Sequence, residues 1–413
     1  MPEGIPPLPD ERSSGPQEEE ASEAFACFMS NRVVSKDGQK WKQGRGKNFA
    51  AKKRREMAGK ELIFNRSEDY VQAGLLKSRA AEWEKWMKFN AAKVVMGPEL
   101  DKLIKSGQQL LPMRWVETDK NEPKRVPGGP KLEPIYKSRL VARGDLEKAD
   151  VRSDSPTADV EAQNLVFSYA ASNKLPVNTG DITNAYFQGK MLMRLLVFRQ
   201  PKGGLPGVPE GACLVARVPV YGTRDAGRGF WKTVRDSLVG SGLQENRTLP
   251  ALYSYSKDGE VLAMLATHVD DILWAAKPEA EHVIAEARKA FIWGKEESRN
   301  FVYCGKCVRQ DADFNIHVSC RDTTLKTKPI SIDHSRKLQD DVTEGERTQL
   351  RSIAGSLAWV ARQVRPDLSY RVSQMQSVGR RAQVRDLKDA NKVLEYAVRT
   401  AARGAAVRAD AIA

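Results

Sequence analysis

The sequence lacks the features that mark a secreted or membrane-bound protein. Its five cysteines form no dense, regular framework, and an odd number of them suits free thiols in a reducing compartment. No apolar run reaches the roughly 18 residues that a membrane span needs. The first residues, Met1 to Pro7, have neither the basic start nor the apolar stretch of a secretory signal. We therefore expect a soluble intracellular protein, cytoplasmic or nuclear, with no membrane partner.

Two common functional motifs are absent or poorly formed. No Gly-x-x-x-x-Gly-Lys-Ser/Thr segment occurs in the sequence, so a P-loop ATPase is unsupported. Cys304-x-x-Cys307, followed by His317 and Cys320, suggests a zinc site. The spacing is loose, however, and Cys304 and Cys307 would point to opposite faces of a strand. We therefore do not predict zinc.

What the sequence does have is positive charge and enough apolar content for a core. The 413 residues include 67 Lys and Arg against 53 Asp and Glu, a net charge of +14. This balance favours an anionic partner, most commonly nucleic acid, although a basic solvated surface without a specific ligand is the alternative. A hydrophobic content of 41% and eight Trp residues support two or three domains, or one multi-lobed enzyme.

The chain changes character along its length. Residues 1–60 predict a disordered tail, acidic and then basic, whose Lys52 to Arg55 cluster suits nuclear import, a nucleic-acid contact or a solvated helix face. Residues 61–113 predict a helical extension. Beyond Arg114, β-rich runs alternate with helices, which indicates an α+β domain. The predicted strands cover residues 138–142, 177–182, 195–199, 213–220 and 261–274, and the predicted helices cover residues 158–172, 229–239, 348–364 and 383–405.

Three carboxylates carry the most chemical information. Asp270 and Asp271 interrupt an apolar, strand-like run from Met264 to Trp274, and Asp181 ends another extended run. Buried carboxylates are costly unless they are compensated, so we expect the pair at a hairpin tip where a cation offsets their charge. Acids from two segments at adjacent strand ends would form an oxygen-rich site suited to Mg²⁺. A turn or helix-cap role is the alternative for each acid taken alone.

Seven blocks, taken in order, resemble the reverse transcriptases of copia-type retrotransposons over about residues 114–378. The first matches the family's Lys-x-Arg-Leu-Val-Ala-Arg-Gly, and the fifth stands where the family has Tyr-Val-Asp-Asp. The blocks are Lys137-Ser-Arg-Leu-Val-Ala-Arg-Gly144, Asp181-Ile-Thr-Asn-Ala-Tyr-Phe-Gln-Gly189, Arg199-Gln-Pro-Lys-Gly203, Pro219-Val-Tyr-Gly-Thr-Arg-Asp-Ala-Gly-Arg-Gly-Phe-Trp231, His268-Val-Asp-Asp271, Arg351-Ser-Ile-Ala-Gly-Ser-Leu-Ala-Trp359 and Arg365-Pro-Asp-Leu368.

The resemblance implies a right-hand polymerase fold and an RNA-directed DNA polymerase. Such an enzyme adds deoxynucleotides to a primer 3′-OH on an RNA or DNA template. It uses two Mg²⁺ ions, with Mn²⁺ as a possible substitute, held by Asp181, Asp270, Asp271 and the carbonyl of Ile182. The residues implied in binding the incoming dNTP are Lys137, Arg139, Arg143, Tyr186, Tyr221, Gly222 and Arg228. Tyr186 would crowd a ribose 2′-OH. The plainer interpretation of Lys137, Arg139 and Arg143 is a basic strand on a solvated surface. The plainer interpretation of Tyr186 is an aromatic residue of the core.

The sequence also departs from the family pattern. Asp225 replaces a Gln that would contact the nucleotide, and an acid there would repel a triphosphate unless it is paired or turned away. Gly227 replaces a Pro, and the block around Ser155 is abbreviated. We expect fingers, an antiparallel palm and a partial thumb or connection over residues 114–380, followed by a C-terminal helix over residues 381–413 that stops before any ribonuclease H domain. The alternatives are an inert nucleic-acid-binding remnant and a chain never made as a functional protein.

Overall fold

The computed structural model describes residues 61–122, 125, 131–333 and 335–409, with Arg380 described by its backbone alone. The expected tail, with its Lys52 to Arg55 cluster, lies outside the described residues. The chain divides into two compact units. Among the described residues, one covers residues 61–298 and the other covers residues 299–409.

The described residues fold into helices and mostly antiparallel strands. The helices are α1 (Asp69–Lys88), α2 (Gly97–Lys105), α3 (Val160–Ser172), α4 (Ala226–Gly240), α5 (Glu281–Arg288), α6 (Arg321–Lys326), α7 (Glu344–Gln363), α8 (Ser369–Ser377) and α9 (Val384–Arg399). The strands are β1 (Ala92–Val95), β2 (Leu110–Asp119), β3 (Tyr136–Ala142), β4 (Asn178–Ile182), β5 (Val197–Arg199), β6 (Cys213–Ala216), β7 (Gln244–Glu245), β8 (Leu252–Lys257), β9 (Glu260–His268), β10 (Asp271–Ala276), β11 (Trp293–Ser298), β12 (Asn300–Tyr303), β13 (Lys306–Gln310), β14 (Ile316–Ser319) and β15 (Gly404–Val407).

The first sheet, in the order β1-β6-β5-β2-β3, is backed by α1. The Arg79 guanidinium of α1 donates to the carboxylate of Glu117 on β2 at 2.7 and 3.0 Å. A Cβ on Gly74 would lie 2.2 Å from the Tyr136 ring, so the helix can approach β3 closely only without a side chain there. The helical extension predicted over residues 61–113 is interrupted by β1, which joins this sheet.

The second sheet, in the order β11-β4-β10-β9-β8-β7, is antiparallel throughout. Its core contains apolar side chains from one face of α4 and one face of α5, with strand residues such as Ile272 and Trp274. Burial at helical spacing on each helix explains why these segments lie flat on the sheet. The helices predicted over residues 158–172 and 229–239 correspond to α3 and α4.

The second unit contains the sheet β12-β13-β14-β15 and the helices α6 to α9. The helix predicted over residues 383–405 is too long, because α9 ends at Arg399 and the chain returns as β15 beside β14. A Cβ on Gly404 would lie 1.8 Å from the Val318 carbonyl oxygen, so only glycine fits that pairing. Cys304 does not lie on a strand as predicted, since it occupies the turn before β13 with φ +47°.

The α+β class predicted from the sequence is confirmed by these mixed helices and antiparallel sheets. Across the part of the chain that the structure describes, none of the helices is both long enough and apolar enough to traverse a lipid bilayer.

Candidate active site

Three acids from two distant segments meet at one end of the second sheet. Asp271 begins β10 directly opposite Asp181 near the end of β4, and cross-strand partners of this kind have Cβ atoms about 5 Å apart. Asp270 occupies the two-residue turn between His268 and Asp271. Its carbonyl oxygen accepts a hydrogen bond of 2.9 Å from the amide of Ile182. The hairpin predicted between residues 261 and 274 is therefore present, with the acids at its tip.

The turn that carries Asp270 is strained. Val269, its first central residue, has φ +57°, a left-handed conformation that a β-branched side chain rarely adopts. Strain of this kind costs about 1–3 kcal/mol and clusters at functional sites. An outlier beside a pair of acids supports a functional interpretation of this hairpin.

Asp181 is held by a segment that the sequence did not indicate. The amide of Lys295 on β11 donates to Asp181 Oδ1 at 2.7 Å. A Cβ on the neighbouring Gly294 would lie 2.7 Å from both carboxylate oxygens. The residue just before β11 is held as well, since the Ile292 amide donates to the Gln188 carboxamide oxygen at 2.7 Å. The available signal was a glycine inside a strand pattern, which often marks a bulge or a close approach.

The donor atoms of this site suit a hard divalent cation. Two carboxylates stand directly opposite each other on adjacent strands, and like charges in that position are destabilising without compensation. Carboxylate oxygens are the ligands that Mg²⁺ prefers. Among the described residues, no set of three or more His, Cys, Asp and Glu side chains is already gathered into a metal cluster. The fit therefore rests on the donor chemistry and the opposed charges.

The predicted fingers residues divide by position on β3. Ser138, Leu140 and Ala142 are buried, so by alternation Lys137 and Arg139 share the opposite face. The Arg139 guanidinium lies 5.7 Å from the centroid of the Tyr221 ring. Arg143 follows the strand, and its guanidinium donates to both carboxylate oxygens of Asp145 at 2.8 Å.

Arg143 and Asp145 therefore form a local ion pair. The hydrogen bond from Arg143 lowers the pKa of Asp145. Exposed pairs of this kind contribute little to stability.

Tyr186 and Tyr221 form an aromatic cluster beside the acids. Their ring centroids are 5.0 Å apart, and Tyr186 lies 6.2 Å from Phe230. Burial raises the pKa of Tyr221, the negative charge of Asp270 adds to the rise, and Arg139 opposes it. Tyr186 is half-buried, so it packs on the core as the plainer interpretation expected and still presents part of its ring.

A buried carboxylate of the N-terminal helix, Glu82, lies near enough to Tyr221 for its charge to raise the pKa of that tyrosine. Glu82 of α1 is 5% exposed. Burial raises its pKa, while Lys85, the Leu140 amide and Arg139 each oppose that rise. The sequence around Glu82 did not indicate this buried position, because it depends on α1 packing against β3.

Gly222 joins two of the recognised blocks through the backbone. It has φ +88°, and a Cβ there would lie 2.2 Å from the Ala142 carbonyl oxygen. The Ala142 amide donates to the Tyr221 carbonyl at 2.8 Å, and the Gly144 amide donates to the Gly222 carbonyl at 3.1 Å. The glycine therefore allows the end of β3 to pair with the Tyr221–Gly222 turn.

The two departures from the family pattern have structural partners. Asp225 accepts from the guanidinium of Arg194 at 2.6 and 2.7 Å, and Arg194 also pairs with Glu147. The acid is thus paired, which is one of the two conditions under which it would not repel a triphosphate.

Gly227 and Arg228 both meet the segment that precedes α3. A Cβ on Gly227 would lie 3.2 Å from the Ser155 Cβ. Arg228 pairs with Asp154 at 2.6 Å, and its guanidinium lies 5.5 Å from the Trp231 ring. Arg228, a predicted nucleotide contact, is therefore engaged with an acid of its own chain.

Comparison with known proteins gives consistent matches. Residues 100–292 match the family described as reverse transcriptase (RNA-dependent DNA polymerase). The retrovirus-related Pol polyproteins from transposons RE2 and RE1 of Arabidopsis thaliana are 23% identical over 256 residues and 22% identical over 286 residues. These matches cover 58% and 65% of this chain but only 17% and 19% of the relatives. The Ty1-BL Gag-Pol polyprotein of Saccharomyces cerevisiae is 25% identical over 188 residues, which cover 42% of this chain and 10% of that polyprotein.

A solved foamy viral protease-reverse transcriptase in complex with double-stranded DNA is a more distant match. It is 14% identical with a TM-score of 0.38, covering 84% of this chain and 60% of that one.

Proposed function

Residues 100–292 form a copia-type reverse transcriptase region, and from this premise we propose that the chain is an RNA-directed DNA polymerase of a retrotransposon. Its substrates would be dNTPs and a primer annealed to an RNA or DNA template. The observation that carries the proposal is the direct opposition of Asp181 and Asp271, with Asp270 in the strained turn beside them.

The acids would hold the catalytic ions. Asp181, Asp270 and Asp271, with the backbone at Ile182, are the proposed ligands of two divalent cations, Mg²⁺ or Mn²⁺. When bound, such ions stabilise the attacking and leaving oxygens of an in-line phosphoryl transfer. The opposed carboxylates supply the negative charge that attracts them, and the hairpin fixes the spacing of the acids.

The cationic and aromatic side chains would bind the nucleotide. Lys137 and Arg139, on one face of β3, would donate to the triphosphate. Arg143 and Arg228, which pair with Asp145 and Asp154, are proposed as further contributors. Tyr186, supported by Tyr221, would present its ring edge to the sugar and disfavour a 2′-OH.

The fold suggests how these parts are distributed. We propose that the first sheet and α1 form the fingers, so that the extension before Arg114 belongs to them. The second sheet would form the palm. The unit from Arg299 onward would serve as the thumb or connection. This division starts the fingers earlier in the chain than the sequence blocks alone suggested, because it includes residues before Arg114.

Primer extension tests the proposal. Wild type, Asp270→Asn and the control Asp258→Asn are compared on a homopolymer RNA template with a DNA primer, in Mg²⁺ and in Mn²⁺. Asp258 lies at the opposite end of β9 and belongs to no proposed site. We expect extension to fall at least about 100-fold in Asp270→Asn and to be unchanged in Asp258→Asn. Binding of the same duplex should be within about twofold for all three proteins, since none of the changes touches a phosphate contact.

The departures at Asp225 and Gly227 favour one other candidate, an inert nucleic-acid-binding remnant. Such a protein would bind the duplex with the steep salt dependence of phosphate contacts but would extend nothing in either metal. The Asp225–Arg194 pairing weakens this candidate, since a neutralised acid need not repel dNTP. Salt-sensitive binding without extension by wild type would select the remnant and reject the polymerase.

A further inference from the structure

The strand next to Asp181 contains an irregularity directly across from that acid. Trp293 on β11 is opposite Ile182, whereas Glu296 is opposite Gly180, so three steps along β11 match two along β4. Gly294 and Lys295 together lie opposite the single residue Asp181, so β11 has one extra residue at this point. A β-bulge of this kind rotates the local backbone and turns its polar groups in a new direction, and bulges are frequent beside active sites.

The bulge brings two features onto the carboxylate. The Lys295 amide donates to Asp181 Oδ1 at 2.7 Å. The absent side chain of Gly294 leaves the space that the carboxylate occupies, because a Cβ there would lie 2.7 Å from Oδ1 and Oδ2 and 2.8 Å from the Thr183 hydroxyl. The carboxylate is therefore held from one side by a donor and has room on that side only because residue 294 is glycine.

We propose that the Gly294–Lys295 bulge is a positioning element that fixes the Asp181 carboxylate for metal binding. It acts through Asp181 and contacts no substrate. The inference rests on the proposed role of Asp181 as a metal ligand. Residues that orient a ligand in this way typically change metal affinity or activity by about 10–100-fold when they are altered.

A purely structural role for the glycine predicts something different. Trp293 and Glu296 also pack against Gly180, so the bulge could serve only to seat β11 on β4. In that case a change at residue 294 would lower stability and leave metal affinity alone. The atoms that a Gly294 Cβ would meet are the ends of two side chains, so we expect the fold to adjust while the carboxylate is displaced.

Two variants remove the two features separately. Gly294→Ala fills the space, and Lys295→Pro removes the amide donor at a bulge on an edge strand, where proline is tolerated. Two matched controls accompany them. Gly240→Ala adds a methyl group where nothing lies within 4 Å, and Lys295→Ala removes the side chain but keeps the amide.

Mn²⁺ binding, measured directly by electron paramagnetic resonance on the full chain, is the primary readout. We expect the Mn²⁺ Kd to rise at least about 10-fold in Gly294→Ala and Lys295→Pro and to stay within about twofold in both controls. In primer extension, kcat should fall in the first two variants while KM for dNTP and the duplex Kd hold. Thermal unfolding shows which variants are folded.

The outcomes separate this inference from the proposed function. Wild-type Mn²⁺ affinity in folded Gly294→Ala and Lys295→Pro overturns the positioning role and leaves the metal site standing. Absence of Mn²⁺ binding by wild type overturns the metal site and this inference with it. If Gly294→Ala does not fold, the Mn²⁺ Kd of Lys295→Pro is compared with that of Lys295→Ala. This comparison still tests the positioning role, because neither variant adds an atom at residue 294.

Discussion

The two ends of β9 are each joined to an antiparallel neighbour by a two-residue turn, and the two turns differ in how well their residues suit the backbone conformation. Between β8 and β9 the turn is Asp258–Gly259, with φ +52° and +83°, residue types that suit left-handed hairpin turns. Between β9 and β10 the turn is Val269–Asp270, and Val269 has φ +57°. One turn uses residues that favour its geometry, and the other holds a β-branched residue against its preference.

The charged residues at the two ends of β9 also differ. At the Asp258 end, Glu260 forms an ion pair with Lys277. At the Val269 end, Asp181 and Asp271 stand opposite each other with like charge. The comparison indicates that local stability governed one end and function the other, since natural proteins tend to break local rules at functional sites. Four experiments break or sharpen this comparison.

The largest effect is expected from removing one of the opposed acids. Asp181→Asn should reduce extension by about 100–1,000-fold, because a preorganised charge is lost from the reacting centre. The same change should raise the free energy of unfolding by about 0.2–1 kcal/mol, since it relieves a like-charge pair. Primer extension and urea unfolding in metal-free buffer measure the two quantities. A variant that loses both activity and stability would contradict the assignment of the pair to function.

The next effect concerns Asp225, an acid that is paired with a cation. Arg194→Gln leaves Asp225 and the nearly buried Glu147 without their cation. We expect KM for dNTP to rise about 10-fold, equivalent to about 1.4 kcal/mol, because an uncompensated acid repels the triphosphate. The double variant Arg194→Gln/Asp225→Gln should return KM to within about threefold of wild type. An unchanged KM in the single variant would show that Asp225 lies too far from the nucleotide to matter.

How much of this could be read from the sequence depends on the range of the interaction. The hairpin with Asp270 and Asp271 was predictable, because an apolar run with two acids in its middle is a local pattern. The approach of Asp181 to these acids was inferred from its position at the end of an extended run, and the family resemblance implied it as well. The Gly294–Lys295 bulge, the Arg194–Asp225 pair and the contact of Glu82 with β3 were not predictable. Each joins segments far apart in the chain, and a single Gly, Arg or Glu carries no signal of its distant partner.

The third effect comes from exchanging the character of the two turns. Val269→Gly should stabilise the protein by about 1 kcal/mol, since about 1–3 kcal/mol of strain is released and part is offset by the greater chain entropy of glycine. Gly259→Val should destabilise it by about 1–3 kcal/mol, as open space surrounds residue 259 and only the backbone conformation is affected. Extension should fall about 10-fold in Val269→Gly, because small displacements of catalytic groups are costly, and should be unchanged in Gly259→Val. Urea unfolding with the same sign for both variants would erase the contrast between the turns.

The smallest effect is expected at the ordinary end, where stability should change with no change in function. The Tyr169 hydroxyl of α3 donates to the Val261 carbonyl near the start of β9 at 3.0 Å. Tyr169→Phe should therefore lower the free energy of unfolding by about 1 kcal/mol at pH 8 and leave extension unchanged.

Burial, with smaller contributions from Glu260 and Glu279, raises the pKa of Tyr169 to about 12, above the value of about 10 for an unfolded tyrosine. The fold thus favours the protonated phenol, so its stabilising contribution is complete below about pH 10 and is lost as the pH rises toward 12. Urea unfolding of both proteins at pH 8, 9.5 and 11 should show their difference shrinking above pH 10. A constant difference, or a loss of extension at pH 8, would mean that this end of β9 also serves the site.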